Sequence, residues 1–205
     1  MLTALTVPAL LEAFAAPTPT PGGGSAAALS GAVGTALLGM VAAMPKTRTN
    51  TPEERTALDA AAADLGAARA ALTALIDRDA AAYDQIVAAF RLPKVTDADK
   101  AARSAAIQAG TRVATEAPLE TMRACVQAMR AGRAAHAYGN PAASSDVKVG
   151  FRLLRAAAGS AHDNVEINLD GLKDEGLRTS LRDAAAALAR DAAALYATVV
   201  DTPGA

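Results

Sequence analysis

The sequence predicts an all-α fold, a helical bundle of long antiparallel helices in a single domain over residues 1–205. Apolar residues recur at three-to-four spacing along nearly every long segment, and helix-starting and helix-stopping residues punctuate those segments. No alternating pattern or hairpin signal breaks the series. The bundle class follows from these observations.

Taken in chain order, the first element announces itself through Pro17-Thr18-Pro19-Thr20-Pro21-Gly22-Gly23-Gly24-Ser25. Proline fixes φ and keeps residues 17–21 extended, and the glycines then permit a backbone nest with close approach of neighbours. Ser25 reads as the N-cap of an uncharged helix reaching Met44, whose positive end would suit a carbonyl, carboxylate or phosphate. That stretch is formally long enough to cross a bilayer, but Ala, Gly, Ser and Thr dominate it and no basic flank precedes it. It predicts a central helix buried on nearly all sides, with Gly31, Gly34 and Gly39 admitting close neighbours.

Thr51-Pro52-Glu53-Glu54 opens the next helix as N-cap, N1 proline and capping glutamate. Leu58, Leu65, Leu72, Ile76, Tyr83, Val87 and Phe90 mark its apolar stripe until Leu92-Pro93 ends it. Thr96, with Asp99 at N3, caps another helix, and Pro118 predicts a fresh start running to Gly139. After the turn Gly139-Asn140-Pro141, Ser144 and Ser145 would cap a helix through Val147, Phe151, Leu154, Ala158, Ala161 and Val165. A last helix spans roughly 175–200.

Composition narrows the function. With 20 basic and 21 acidic residues the chain offers no general attraction to nucleic acid. The lone Cys125 and the two histidines lack metal-ligand spacing, and the single cysteine with no export signal suggests the cytoplasm. No metal, membrane or nucleic acid is expected as a partner. The glycines loosely match a dinucleotide fingerprint, but prolines stand where its strand belongs, and no lysine follows for a phosphate loop. A plain turn between helices stays open.

Polar residues on apolar faces are sharper clues. Asp79 falls inside the stripe of the long helix, where a carboxylate needs a partner or a task. Another helix's N-terminus or an arginine could be that partner. Asn164 and Asn168 continue the Ala158-Ala161-Val165 face and could fix a flat heterocycle or bridge helices. Asp146 sits in a first helical turn beside Ser145, where the dipole favours a carboxylate and an ordinary cap is the simpler reading. Lys94 follows a stiff turn, and Lys46 with Arg48 follows the uncharged helix; a solvated role is open for all three. His162, beside Asp163, reads as surface.

The order of motifs resembles that of the cyclodeaminase/cyclohydrolase family of folate one-carbon enzymes. Carrying the likeness are Pro19 through Leu29, Asp77-Arg78-Asp79 with Tyr83, Leu92-Pro93-Lys94 followed by Lys100 to Arg103, Pro118-Leu119, Gly139-Asn140 with Ser145-Asp146, and Asn164 through Leu169. The resemblance implies a helical homodimer that takes a tetrahydrofolate derivative near the subunit contact, with no further cofactor. It implies either hydrolysis of 5,10-methenyltetrahydrofolate to the 10-formyl form or deaminating cyclisation of 5-formiminotetrahydrofolate; a non-catalytic folate binder is the remote alternative. With no formiminotransferase domain in these residues, it points more to the hydrolase. Asp79 or Asp146 would then be base and negative field, with Lys94 assisting proton transfer. Gly22, Gly23, Gly24, Ser25, Tyr83, Asn140, Ser145, Asn164 and Asn168 would hold the substrate, and Lys46 and Arg48 its glutamate tail. The family's lysine-rich loop is replaced here by Pro45 to Asn50.

Overall fold

The computed structural model describes residues 1–44 and 50–201, and no strand occurs among them. Six helices follow one another: α1 Val7–Ala15, α2 Gly23–Ala43, α3 Pro52–Phe90, α4 Asp97–Tyr138, α5 Ser144–Leu169 and α6 Glu175–Tyr196. Helix α2 packs against α3, α4 and α5, with α6 laid along α4 and α5. The expected all-α bundle is what forms.

Both predicted capping boxes close. Thr51 accepts from the Glu54 N–H while the Glu54 carboxylate accepts from the Thr51 N–H, and Thr96 and Asp99 repeat the arrangement on α4. Such boxes are local, so they form wherever the helix forms.

Pro118 corrects the reading that a helix begins there. Helix α4 runs unbroken from Asp97 to Tyr138 with Pro118 buried inside it. A proline at 118 has no N–H for the carbonyl four residues earlier, which strands the Ala114 oxygen. Asn168 of α5 supplies the missing donor, its Nδ2 lying 2.8 Å from Ala114 O. The kink-forming residue is tolerated because a neighbouring helix satisfies the freed acceptor.

Other local readings shift by a turn. Gly22, not Ser25, is the N-cap of α2; Ser25 lies buried in the first turn. Ser144 and Ser145 are not caps, because Asn140 caps a short 3-10 turn at Pro141–Ala143 that leads straight into α5. Tyr83 and Phe90 are exposed, and Ala82 and Ala89 face inward instead. Helix α1, missed on sequence, has Thr6 as its N-cap and Pro8 in its first turn, and none of its residues is buried.

The core depends on small residues at close crossings. A Cβ on Gly34 would stand 2.8 Å from the Gly150 carbonyl oxygen, so α2 and α5 meet backbone to backbone there. Around that crossing pack Leu38, Leu72, Met129, Phe151 and Leu154. Gly31 likewise admits Cys125 and Leu72, whereas Gly39 has only ordinary contact. Burial pushes the Cys125 thiol up to about 12, so it stays an inert core group.

Helix α2 is the one described helix long and apolar enough to cross a membrane, and half of that stretch is buried within the bundle. Contrary to the reading of burial on nearly all sides, Ala26, Val33 and Met40 are exposed. They recur every seven residues, so one apolar seam of α2 is left uncovered.

Candidate active site

Successive residues on a helix point about 100° apart, and Asp77-Arg78-Asp79 on α3 uses this to reach three neighbours. Asp77 accepts from the Leu2 N–H and the Thr3 hydroxyl, fastening the start of the chain. Arg78 pairs with Glu120 on α4. Asp79 turns toward the first turn of α2.

There Asp79 Oδ2 lies 3.1 Å from the Ser25 hydroxyl, which also faces the Ile76 carbonyl at 2.8 Å. The Ser25 N–H also supports the carboxylate. The positive end of α2, read on sequence as a seat for an external anion, is thus occupied by the protein's own carboxylate. Gly24 makes this possible: a Cβ on it would fall 2.5 Å from Asp79 Cγ. No described glycine has positive φ, so the triplet provides close approach rather than a left-handed nest.

Asp79 is half-buried, and desolvation raises its pKa above the ordinary carboxylate value although the Ser25 hydroxyl and N–H oppose that shift. A carboxylate that is partly stripped of water but open on one side is a better proton acceptor near neutrality. That is what a general base requires.

Asn164 lies beside the same helix start. A Cβ on Gly23 would lie 3.6 Å from its Nδ2, and that amide donates to Ser160 O at 2.7 Å. Asn168, one turn on, donates to Ala114 O. Both amide groups thereby have fixed orientations, and each leaves its carbonyl oxygen as the remaining acceptor. Tyr83 stands one turn beyond Asp79 and is exposed.

The remaining predicted residues lie elsewhere in the chain. Asn140, Ser145 and Asp146 sit at the start of α5, with Gly139 against Val41 near the far end of α2. Eighteen residues of α5, about 27 Å at 1.5 Å per residue, separate Asp146 from Asn164. Lys94 lies past the end of α3 and is not brought to Asp79; it lines a groove with Lys100, Arg103 and Lys173. Lys46 and Arg48 lie outside the described residues. His162 is half-buried rather than wholly on the surface, within 4.0 Å of Asp163 and Glu166. Among the described residues no group of three or more His, Cys, Asp or Glu is placed to hold a metal ion.

The Pro118–Asn168 pairing gives a direct expectation. Asn168→Ala should cost about 1 kcal/mol of stability, the low end of the usual cost of a stranded acceptor because the Ala114 carbonyl is only part-buried. In a Pro118→Ala background, which restores the helix N–H, the same change should cost clearly less. Urea unfolding of the four proteins measures this coupling, and additive costs would refute the pairing.

The fold is an all-helical bundle in which a half-buried carboxylate is held on a helix start, with Asn164 beside that start and Asn168 one turn further along α5. The chain belongs to the formiminotransferase-cyclodeaminase family, whose model matches residues 6–187. It is 34% identical to the methenyltetrahydrofolate cyclohydrolase of Methylorubrum extorquens, over 96% of this chain and 95% of that one. It is also 34% identical to the formimidoyltransferase-cyclodeaminase of Sus scrofa, over 88% of this chain but only 34% of that longer protein. The fold matches that of the formiminotetrahydrofolate cyclodeaminase of Thermotoga maritima with a TM-score of 0.87, covering 98% and 96% of the two chains at 21% identity.

Proposed function

We propose that this protein hydrolyses 5,10-methenyltetrahydrofolate to 10-formyltetrahydrofolate. The observation that carries the reading is Asp79: a carboxylate of raised basicity, fixed by Ser25, in a chain alike from end to end to a methenyltetrahydrofolate cyclohydrolase. The substrate carries a cation spread over N5, the methenyl carbon and N10. Asp79 offsets that charge and accepts a proton from water as the oxygen bonds to the carbon. The tetrahedral intermediate collapses when the carbon–N5 bond breaks. Asp79 returns its proton to N5 and the intermediate's hydroxyl proton leaves to solvent, so one proton is released as the positive charge disappears. The free carbonyl oxygens of Asn164 and Asn168 would accept from the pterin's N–H groups. The reaction draws on substrate and water alone, and the cytoplasm is the compartment proposed for it.

The working form is a homodimer. One subunit separates Asp146, Ser145 and Asn140 from Asp79 by nearly the length of α2, and α2 exposes the Ala26-Val33-Met40 seam between the two ends. Antiparallel packing of two such seams about a twofold axis near Val33 sets the Asp146 end of one subunit beside the Asp79 end of the other. Burial of the seam supplies the contact.

Loss of methenyl absorbance tests the reaction directly, with ammonia release from 5-formiminotetrahydrofolate measured in parallel. Turnover of the methenyl compound well above its spontaneous rate is expected. Ammonia release without methenyl hydrolysis would assign the deaminase reaction instead, and binding without either would leave a folate binder.

A further inference from the structure

The N-terminal segment leaves the bundle and returns to the place it left. Near its start the Leu2 N–H and the Thr3 hydroxyl both donate to Asp77 on α3, and Leu2 packs, with Leu29, against Ala28, Leu75 and Ile76. At its other end Gly22 opens α2, whose first turn holds Asp79 through Ser25. Asp77 and Asp79 share one turn of α3, so the intervening chain is fastened at both ends beside the candidate base.

Helix α1 lies in the middle of this loop and is only partly covered. Val7, Leu10, Leu11 and Phe14 recur at i, i+3, i+4 and i+7 and form one apolar stripe. Leu10 and Phe14 are half-buried, whereas Val7 and Leu11, along the other edge, are 71% and 61% exposed. A helix of nine residues is marginal alone in water, so the Thr6 cap and Pro8 sustain one that lacks part of its packing. Extended residues bound it, Leu5 and Thr6 before and Ala16 after, and the prolines at 17, 19 and 21 stiffen the return arm. The helix is thereby a rigid piece between two hinges.

We propose that α1 is a lid on the Asp79 site, latched by Asp77 as a positioning residue, and that its Val7–Leu11 edge closes over the ring system of the bound folate. The proposal rests on the folate reading above. The chemistry of α1 fits the ring end of that substrate: it carries one charge, Glu12, and no cation for the acidic tail, while Val7 and Leu11 supply apolar area for flat ring faces. Because the stripe covers the rings rather than the reacting atoms, it binds substrate and transition state alike, and its effect falls on KM. A second copy of this chain is the competing cover, and the two differ in what controls them. A lid responds to ligand, a subunit contact to protein concentration.

Amide hydrogen exchange of the intact protein separates these, measured with and without saturating 10-formyltetrahydrofolate over about a hundredfold range of protein concentration. The α1 amides should exchange about tenfold more slowly with the folate, at every concentration. Two variants probe the parts: Val7→Ser/Leu11→Ser alters only the exposed edge, and Asp77→Ala removes the latch. Each should raise KM for 5,10-methenyltetrahydrofolate about five- to tenfold, keep kcat within about twofold and lose most of the folate-induced protection. Asp77→Asn, which keeps an acceptor for Thr3, should lie closer to wild type. Turnover with α1 exchange unmoved by the folate, or KM unchanged in both variants, overturns the lid and leaves the folate reading standing. Protection that rises with protein concentration and ignores the folate assigns α1 to a subunit contact and overturns the lid as well. Absence of both turnover and folate-induced protection ends the folate reading and the lid together.

Discussion

Asp79→Asn should lower kcat on methenyltetrahydrofolate by about two to four orders of magnitude, the usual worth of a positioned general base. The carboxamide keeps the shape and can still accept from Ser25, so the α2 start and the fold should be preserved. What disappears is the proton acceptor and the negative charge facing the substrate cation. The pH profile adds a second reading. Burial raises the Asp79 pKa, so the acid limb of kcat/KM should lie above that of an ordinary exposed aspartate, with activity falling as pH drops through it. The variant's residual activity should lack this limb.

Stability should move the other way. A carboxyl group whose folded pKa is raised binds more protons folded than unfolded between the two values, so it favours the fold at low pH and this support is lost as pH rises through them. At neutral pH the buried charge of Asp79 therefore costs stability, and Asp79→Asn should be no less stable than wild type in urea. Full turnover by the variant would end the catalytic assignment. Inactivity with a large loss of stability would make Asp79 a structural residue instead.

The parts of this molecule that were legible in its sequence are those governed by neighbours in the chain. Thr51-Glu54 and Thr96-Asp99 cap their helices because the donor, acceptor and helix start lie within four residues. Asp79 stands out in the sequence because it lies three residues after Ile76 and four before Tyr83, inside the apolar stripe, and the structure shows that it also continues the register of buried Leu58, Leu65 and Leu72. The same heptad register explains why Tyr83 was misplaced: it lies one position past Ala82, outside the seam, and a stripe drawn loosely over many turns drifts toward it.

Errors arose where a distant residue decides a local question. Proline ends a helix when nothing satisfies the carbonyl it strands, and here Asn168, fifty-four residues on, does so. Glycines usually signal unusual φ, but Gly24 is small because Asp79 presses against it from another helix. Neither partner can be found from spacing along the chain. Lys173 likewise joins Lys94, Lys100 and Arg103 through Ser104 and Gln108 of α4, contacts that spacing along the chain does not reveal.

The separation of Asp146 from Asp79 makes the second large prediction. If each working site takes Asp79 from one subunit and Asp146 from the other, Asp146→Asn should be as inactive as Asp79→Asn. Mixing the two inactive proteins after mild dissociation should then restore activity. Half of the reassociated dimers are mixed, and each mixed dimer holds one site with both substitutions and one with neither. Activity should therefore recover to about a quarter of wild type, a rise of at least twentyfold over either variant alone. Carboxylates acting within one subunit would give no recovery, because every site would still contain a substituted chain. An Asp146→Asn protein with full activity alone would remove Asp146 from the site. Val33→Arg supplies the control: charge at the centre of the α2 seam should leave a folded monomer by sedimentation, and that monomer should neither turn over substrate nor complement either variant.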